Sequence, residues 1–268
     1  MGSNPIPSAN FLKPIGCEIY PLYFNELNFG MTPDHGGREI AAMSLSDHES
    51  GDIEERLRAW FPQPAHAGAA TIAAYPILPE EQALMATAVA RRQAEFATGR
   101  WLSRQGLRAL GIPDQPIGIG RLRNPLWPES VLGTISHDGD LCAVVLLPRL
   151  GQRAAGIGID LIRLKQRAGR MAELATMFVA DAGELEAVAA MERDVDPALL
   201  LFSIKESLIK AIAHRVDDFV DMRAIRVSRP GHISLPGGLA VSLSGEVINA
   251  DLYAGTVGRF LVTAALTY

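Results

Sequence analysis

The 268-residue chain is 48% hydrophobic and 21% charged, the balance of a globular protein with a sizeable core in one large or two small domains. Its formal net charge of −5 argues against a general nucleic-acid binder, which carries a broad basic surface. Cys17 and Cys142 are too few for a disulfide framework or a thiolate zinc site, and no signal-like or membrane-spanning apolar run is present, so a cytoplasmic protein without a membrane partner is expected.

Residues 1–79 carry nine of the seventeen prolines. Proline removes a backbone donor and disfavours helix in the residue before it, so long regular elements are not expected there. Short strands around Glu18–Phe24 and a helix around Asp52–Trp60 are predicted, with Pro62–Ala70 as a loop and Met1–Asn10 fraying. Residues 1–75 therefore read as a Pro-rich, partly irregular N-terminal extension. At Pro79-Glu80-Glu81 a helix opens, with proline at its start and acids in its first turn. It is expected to run toward Leu110 and to stop at Gly111-Ile112-Pro113. Strands follow at Ile117–Leu122, Gly133–Ser136, Leu141–Leu147 and Ala155–Leu161. Helices are predicted near Met171–Val179, Glu184–Glu192 and Pro197–His214, and Arg223–Tyr268 reads as strands. The fold class is α+β, and helix followed by strands occurs about twice, which allows two similar halves, residues 76–152 and 153–268. A site between them would be a natural pocket, and two internal halves would make a monomer sufficient.

The helix Pro197–His214 carries the most pointed pattern. On a 3.6-residue wheel Leu201, Ile204, Leu208, Ala211 and Ile212 share a core face, with Phe202 and Ile209 on its flank. Between them runs a narrow polar strip of Ser203, Glu206, Ser207 and Lys210, as expected of a helix lining a cleft. By themselves Glu206 and Lys210 are equally an i,i+4 surface pair, and Asp160, ending an apolar strand, is equally a cap or turn residue. Gly156-Ile157-Gly158 lacks the third glycine and the following helix N-terminus of a dinucleotide fingerprint.

Together these segments resemble the Sfp-type 4′-phosphopantetheinyl transferases, in particular the branch of the siderophore synthetases that includes the enterobactin synthetase component D. Gly158-Ile159-Asp160 matches the family's G-I-D, and Phe202-Ser203-Ile204-Lys205-Glu206-Ser207-Leu208-Ile209-Lys210 matches its (W/F)-(S/C)-x-K-E-(S/A)-x-x-K helix. Arg92–Arg100 matches R-x-x-E-F-x-x-G-R. Arg123–Pro128 with Gly133–His137 looks like R-x-P-x-W-P…G-S-I-S-H. The resemblance implies two α+β halves related by a pseudo-twofold, each a small antiparallel sheet on a long helix, with the active site at their interface. It implies transfer of phosphopantetheine from coenzyme A to a serine of an apo acyl- or peptidyl-carrier protein, releasing 3′,5′-ADP, in siderophore or secondary-metabolite biosynthesis.

By the same resemblance, Asp160 and Glu206 hold Mg²⁺, Glu206 is the base, and Lys210 balances charge on the transferring phosphate. Lys205 assists at the α-phosphate. Ser136 and His137 hold the 3′-phosphate of coenzyme A with Arg92 and Arg100, which bind coenzyme A phosphates, nearby, and Arg121 and Arg123 flank the adenine or phosphates. Arg104 and Arg108 are expected to be solvated. Arg163–Val179, basic with Met171, Met177 and Phe178, is the expected carrier-docking surface. One departure stands out: many members place a second acid two residues after the Asp, where this chain has Ile162. Magnesium takes about six oxygens, and phosphate, water or a main-chain carbonyl near Leu161–Ile162 would have to complete the shell. A coenzyme A or carrier-binding module without transfer, and a metal-dependent nucleotide hydrolase, remain as alternatives.

Overall fold

A strand that is apolar at every position needs cover on both faces, and Leu141–Leu147 is buried throughout. The computed structural model describes residues 39–167, 171–229 and 239–268, so the strands expected at Glu18–Phe24 and the fraying start lie outside it. The described elements begin with α1 (Glu39–Trp60), β1 (His66–Thr71), α2 (Pro79–Leu84) and α3 (Ala90–Ala109). A small hairpin of β2 (Gly118–Ile119) and β3 (Pro125–Leu126) leads to β4 (Val131–Asp138), β5 (Leu141–Pro148) and β6 (Gly156–Arg163). Helices α4 (Leu164–Arg167), α5 (Met171–Phe178), α6 (Ala182–Val188) and α7 (Pro197–Ile212) follow. The chain ends in β7 (Ile225–Ser228), β8 (Ala240–Leu243), β9 (Glu246–Ile248), β10 (Ala250–Val257) and β11 (Phe260–Thr267). It is a mixed fold of helices and small antiparallel sheets.

Two of these sheets position the site. One has the order β1-β5-β4 and the other β10-β11-β6, each centred on an apolar strand. Alternate residues of β5 divide between two cores. Cys142, Val144 and Leu146 meet Leu102 and Leu107 of α3. Leu141, Ala143, Val145 and Leu147 join Ile53 and Leu57 of α1 in a core that also takes Ile157, Ile159 and Leu161 of β6. Helix α7 covers the opposite face of the second sheet through Leu201, Ile204, Leu208 and Ile212, as the wheel predicts. Helix α1 thus lies under both sheets, while α3 and α7 each cover one from the other side.

The glycines of Gly156-Ile157-Gly158 serve this packing. A Cβ at Gly158 would stand 1.9 Å from the Ser207 carbonyl oxygen, and one at Gly156 1.9 Å from that of Ala211. Glycine at both positions is what lets α7 lie so close on β6.

Three expectations are corrected. Long regular elements are not expected before residue 79, but α1 runs 22 residues, Glu39–Trp60, in the proline-free stretch between Pro33 and Pro62. Pro62–Ala70 is not simply a loop, because His66–Thr71 forms β1 and pairs antiparallel with β5 from His66↔Leu146 to Thr71↔Leu141. Its small side chains suit a strand lying between α1 and α3. Strand β1 therefore belongs to the first sheet although it falls within residues 1–75. The helix from Pro79 is also interrupted, at residues 85–89. Glu81 is fully buried, accepting from Arg104 Nη1 at 2.5 Å and the Ile117 amide at 3.1 Å. In one straight helix residues 81 and 104 would lie about 35 Å apart. Folding α2 back onto α3 satisfies the carboxylate, and the Gln93 amide caps the break by donating to the carbonyls of Met85 and Ala88.

Replacing Gly158 by Ala should destabilise the fold by about 1–3 kcal/mol, the usual cost of overpacking. A urea titration checks it, and an unchanged midpoint would mean that α7 does not sit this close on β6.

Candidate functional site

The inner edges of the two sheets meet without a backbone ladder. The free N–H groups of Ile159, Leu161 and Arg163 on β6 donate to Thr134 Oγ1 (3.1 Å), Ser136 Oγ (3.1 Å) and Asp138 Oδ2 (2.8 Å) on β4. The spacing of two on both strands places these three side chains on one edge and sets β4 and β6 parallel across the seam. Side chains, being longer than a direct amide–carbonyl bond, hold the strands apart. Above the seam lies a cavity of about 530 Å³, lined from β4, β6, α3 and α7.

Asp160 alternates with Ile159 and Leu161 and so turns toward α7. Its Oδ1 accepts from Lys210 Nζ at 2.8 Å and Ser136 Oγ at 3.1 Å, and its Oδ2 accepts from Ser203 Oγ at 2.9 Å. Ser203 and Ser207 both meet the buried Thr263 hydroxyl, at 2.9 and 2.7 Å. Asp160 (7% exposed) and Glu206 (5%) both line the cavity. The polar strip of α7 therefore faces the seam, as its narrowness suggested.

Across the cavity, Arg92 Nη1 donates to His137 Nε2 at 3.0 Å and to Glu95 Oε2 at 3.3 Å. Arg91 braces Glu95 from the other side at 3.1 Å and reaches the Gly139 carbonyl at 3.3 Å. An arginine only donates, so His137 Nε2 is an acceptor in this arrangement. Burial pushes the His137 imidazole down to about 4, with Arg92 adding to the effect against Glu95, so the ring is neutral at pH 7. Among the described residues Arg92 Nε is buried without a partner, a donor left over beside the cavity.

The remaining candidates divide. Arg100 lines the cavity, but its guanidinium is held by the carbonyls of Ile117 (3.0 Å) and Gly118 (3.2 Å) and lies over the Phe96 ring. Burial lowers it to about 10, which leaves it charged. Arg123 lines the cavity from the β2–β3 turn with φ of 60°, a left-handed conformation uncommon outside glycine. Arg121 is exposed and outside the lining. Ser136 spends its hydroxyl on Asp160, the Leu161 amide and Lys210, so it joins the seam and is not a free phosphate donor. Arg108 is solvated and paired with Asp114, but Arg104 is buried on Glu81, against expectation.

Lys205 is corrected most sharply. It points away from the cavity, is fully buried, pairs with Glu184 (Nζ to Oε1 2.9 Å), and donates to Glu184 Oε2 (3.1 Å) and the carbonyls of Phe178 (2.7 Å) and Met222 (3.1 Å). Burial lowers its pKa and Glu184 opposes that shift. Glu184 in turn accepts from the amides of Ala180 (2.7 Å) and Val227 (3.0 Å). The pair ties α7 to the end of α5, to α6 and to β7. Sequence reading missed Glu184 and Thr263, which have no pattern of their own, and left Glu95 and Ser203 without a role although their motifs contain them. In the expected docking segment, Met171 and Phe178 are core residues, and the side chains of Arg167 and Arg170 lie outside the described residues.

The donor set fits a divalent ion only in company. Among the described residues no group of three or more His, Cys, Asp or Glu side chains converges on one point. Ile162 is packed in the α7-side core with Met171, Phe178 and Phe202. Asp160 and Glu206 nonetheless face one open cavity, and Asp160 already presents an oxygen to a cation, the Lys210 ammonium. Two carboxylates with ligand oxygens and water suit magnesium, which is usually bound through one or two carboxylates and substrate phosphates.

Truncating Lys205 to Ala should cost about 3–5 kcal/mol by leaving Glu184 buried and unpaired. A denaturant titration measures it, and unchanged stability would mean that Lys205 does not anchor the helix through Glu184.

The family model described as the 4′-phosphopantetheinyl transferase N-terminal domain matches residues 80–147, and that of the 4′-phosphopantetheinyl transferase superfamily matches residues 156–239. The enterobactin synthase component D of Salmonella typhi is 35% identical over 147 residues, 54% of this chain and 59% of that protein. The 4′-phosphopantetheinyl transferase Svp of Streptomyces mobaraensis is 37% identical over 139 residues, 50% of this chain and 54% of its own length. The 4′-phosphopantetheinyl transferase PptT of Mycobacterium tuberculosis is 37% identical over 83 residues, covering 31% of this chain and 37% of that one. The chain thus spans little more than half the length of the first two of these relatives. The two family models meet on either side of the seam and together take in Arg92, His137, Asp160, Glu206 and Lys210. The chain belongs to the 4′-phosphopantetheinyl transferase superfamily.

Proposed function

We propose that this chain transfers the 4′-phosphopantetheine arm of coenzyme A to a serine hydroxyl of an apo acyl- or peptidyl-carrier protein, releasing 3′,5′-ADP. The observation that carries the reading is one cavity with a cationic group for a phosphate on one side and, on the other, two carboxylates and an ammonium that suit a phosphate-bound metal ion. Arg92 and His137 stand on one side, and Asp160, Glu206 and Lys210 on the other. Coenzyme A carries its 3′-phosphate and its pyrophosphate as two separate anionic groups, which such a cavity can hold at once. On this reading Arg92, His137 and Arg123 take the 3′-phosphate end, and Arg100 shapes that end by fixing the start of β2. A Mg²⁺ ion held by Asp160 and Glu206 would supply charge neutralisation at the pyrophosphate. Glu206 accepts the proton of the carrier serine as its oxygen attacks the β-phosphorus, and the bond to the α-phosphate side breaks to release 3′,5′-ADP. Lys210 balances charge on the transferring phosphate.

Residues 76–152 and 153–268 are read as two halves related by a pseudo-twofold, with the active site between them and residues 1–75 before them. In support, each half supplies the apolar central strand of a three-stranded antiparallel sheet and covers it with a long helix, the first sheet taking its third strand, β1, from before residue 76. In each, a two-residue turn opens on a left-handed glycine, Gly139 and Gly258. No helix among the described residues is long and apolar enough to cross a membrane. The reading places the protein in the cytoplasm as a monomer acting on a carrier protein, in siderophore or related biosynthesis. Ile162, which leaves the site one acid short, favours a second reading as a coenzyme A-binding module without transfer.

Intact mass of an apo carrier after incubation with the protein, coenzyme A and Mg²⁺ separates the two. A gain of one phosphopantetheine arm is expected, and Glu206→Gln should lower its rate by about 10²-fold or more. Coenzyme A binding without any gain would leave only the module. Protonation offers a further check, because a phosphate dianion beside the neutral His137 raises its pKa. Binding of 3′,5′-ADP should then take up protons and tighten as pH falls from about 7.5 toward 6. Calorimetry in buffers of different ionisation enthalpy should show less uptake for His137→Gln, and equal uptake would remove His137 from the phosphate site.

A further inference from the structure

We propose that Lys210 is an internal counter-ion occupying the cation-binding edge of Asp160. It yields that edge when coenzyme A phosphates draw the ammonium away, so that divalent-ion binding is coupled to coenzyme A binding. The proposal rests on the functional reading above and adds to it an order of events.

The Lys210 ammonium has three N–H donors, and three acceptors surround it. Asp160 Oδ1 lies at 2.8 Å, the Ile159 carbonyl at 2.9 Å and Ser136 Oγ at 3.1 Å. None of the three donors is left for a ligand. The other carboxylate oxygen, Oδ2, accepts from Ser203 at 2.9 Å and is turned into the buried Ser203–Thr263–Ser207 hydroxyl chain. The edge that faces the cavity is therefore Oδ1, where the ammonium sits. The Asp160 side chain is 9% exposed and that of Lys210 18%, so solvent screens their attraction weakly. A divalent ion and an ammonium on the same oxygen would repel at close range. The ion can enter only as Lys210 leaves, and what draws Lys210 is an acceptor more highly charged than a carboxylate. A pyrophosphate in the cavity is such an acceptor, and the four-carbon stem lets the ammonium swing to it. Coenzyme A then performs two tasks at once: its phosphates vacate Oδ1 and provide ion ligands that Ile162 cannot.

The test uses Mn²⁺ as the probe, followed by its electron paramagnetic resonance signal during titration of the free protein, with no carrier present. Removing the ammonium by Lys210→Met should tighten Mn²⁺ binding in the absence of coenzyme A by about tenfold or more. An opposite charge this close shifts a carboxylate's affinity for a proton by about one to three decades. Coenzyme A should then tighten Mn²⁺ binding by a larger factor in the wild-type protein than in the variant. Equal Mn²⁺ affinity of the two free proteins would overturn the proposal. So would no measurable Mn²⁺ binding by either, or one common factor of tightening by coenzyme A. Lys210→Gln carries the same expectation should the Met variant fold poorly. In the wild-type protein alone, ternary binding no tighter than Mn²⁺ binding to coenzyme A in solution would also overturn it. Failure of the transferase reading shows elsewhere, as a carrier that gains no mass, and does not alter these titrations.

Discussion

Three side chains on β4 do the work that a neighbouring backbone does in an ordinary sheet. Buried amides must be paired, and the inner edge of β6 would expose those of Ile159, Leu161 and Arg163 to the interior without Thr134, Ser136 and Asp138. A direct ladder would have closed the two sheets into one continuous surface with no gap between β4 and β6. The side-chain bridge keeps the edges satisfied and leaves room above them. Because the bridging residues recur every second position, the register is unique, and the intervening Asp160 must point to the α7 side. Ser136 belongs to both the joint and the site, since the hydroxyl that pairs the Leu161 amide also touches Asp160 and Lys210.

Buried charge in this molecule fixes helices in place. Breaking a buried ion pair is expensive because it strands a charge, whatever the net worth of the intact pair. Glu81 with Arg104 folds α2 back on α3, and Lys205 with Glu184 ties α7 to α5, α6 and β7. Asp160 with Lys210 then fixes α7 against the seam from the other side. Adjacent residues of a helix point about 100° apart, so Lys205 and Glu206 cannot serve the same surface. The first anchors the helix from behind, and the second faces the cavity.

What could be read from the sequence follows from what is local. Leu141–Leu147 announces a doubly covered strand by composition alone, and the strip of Ser203, Glu206, Ser207 and Lys210 announces a cleft by its width. β1 escapes because His66–Thr71 is small and lacks the branched residues of a strand; its pairing is decided by β5 and by helices on both faces. The break at residues 85–89 escapes because that segment suits a helix, and the reason to interrupt it lies with Arg104 and Ile117 far along the chain. Lys205 is the more instructive case. The helical wheel leaves it off the polar strip, whereas motif resemblance takes it to the phosphates, and its burial on Glu184 agrees with the wheel. The Glu95 brace on Arg91 and Arg92 was visible in the motif but carries no role until the distances are known.

Ile162 and Lys210 are linked by charge balance. Position 162 lies on the same face of β6 as Asp160, where it belongs to the core that includes Met171, Phe178 and Phe202 and also lines an apolar margin of the cavity. An acid there would place a second carboxylate at this largely apolar margin, a cost unless it is paired. With isoleucine there, the α7 face of β6 presents one carboxylate, and a single ammonium is enough to neutralise it. A second acid on this face would leave one carboxylate without a cation in the free protein. Isoleucine thus trades intrinsic affinity for a cation against a free state in which Asp160 is balanced internally, through groups already present on α7 and β4.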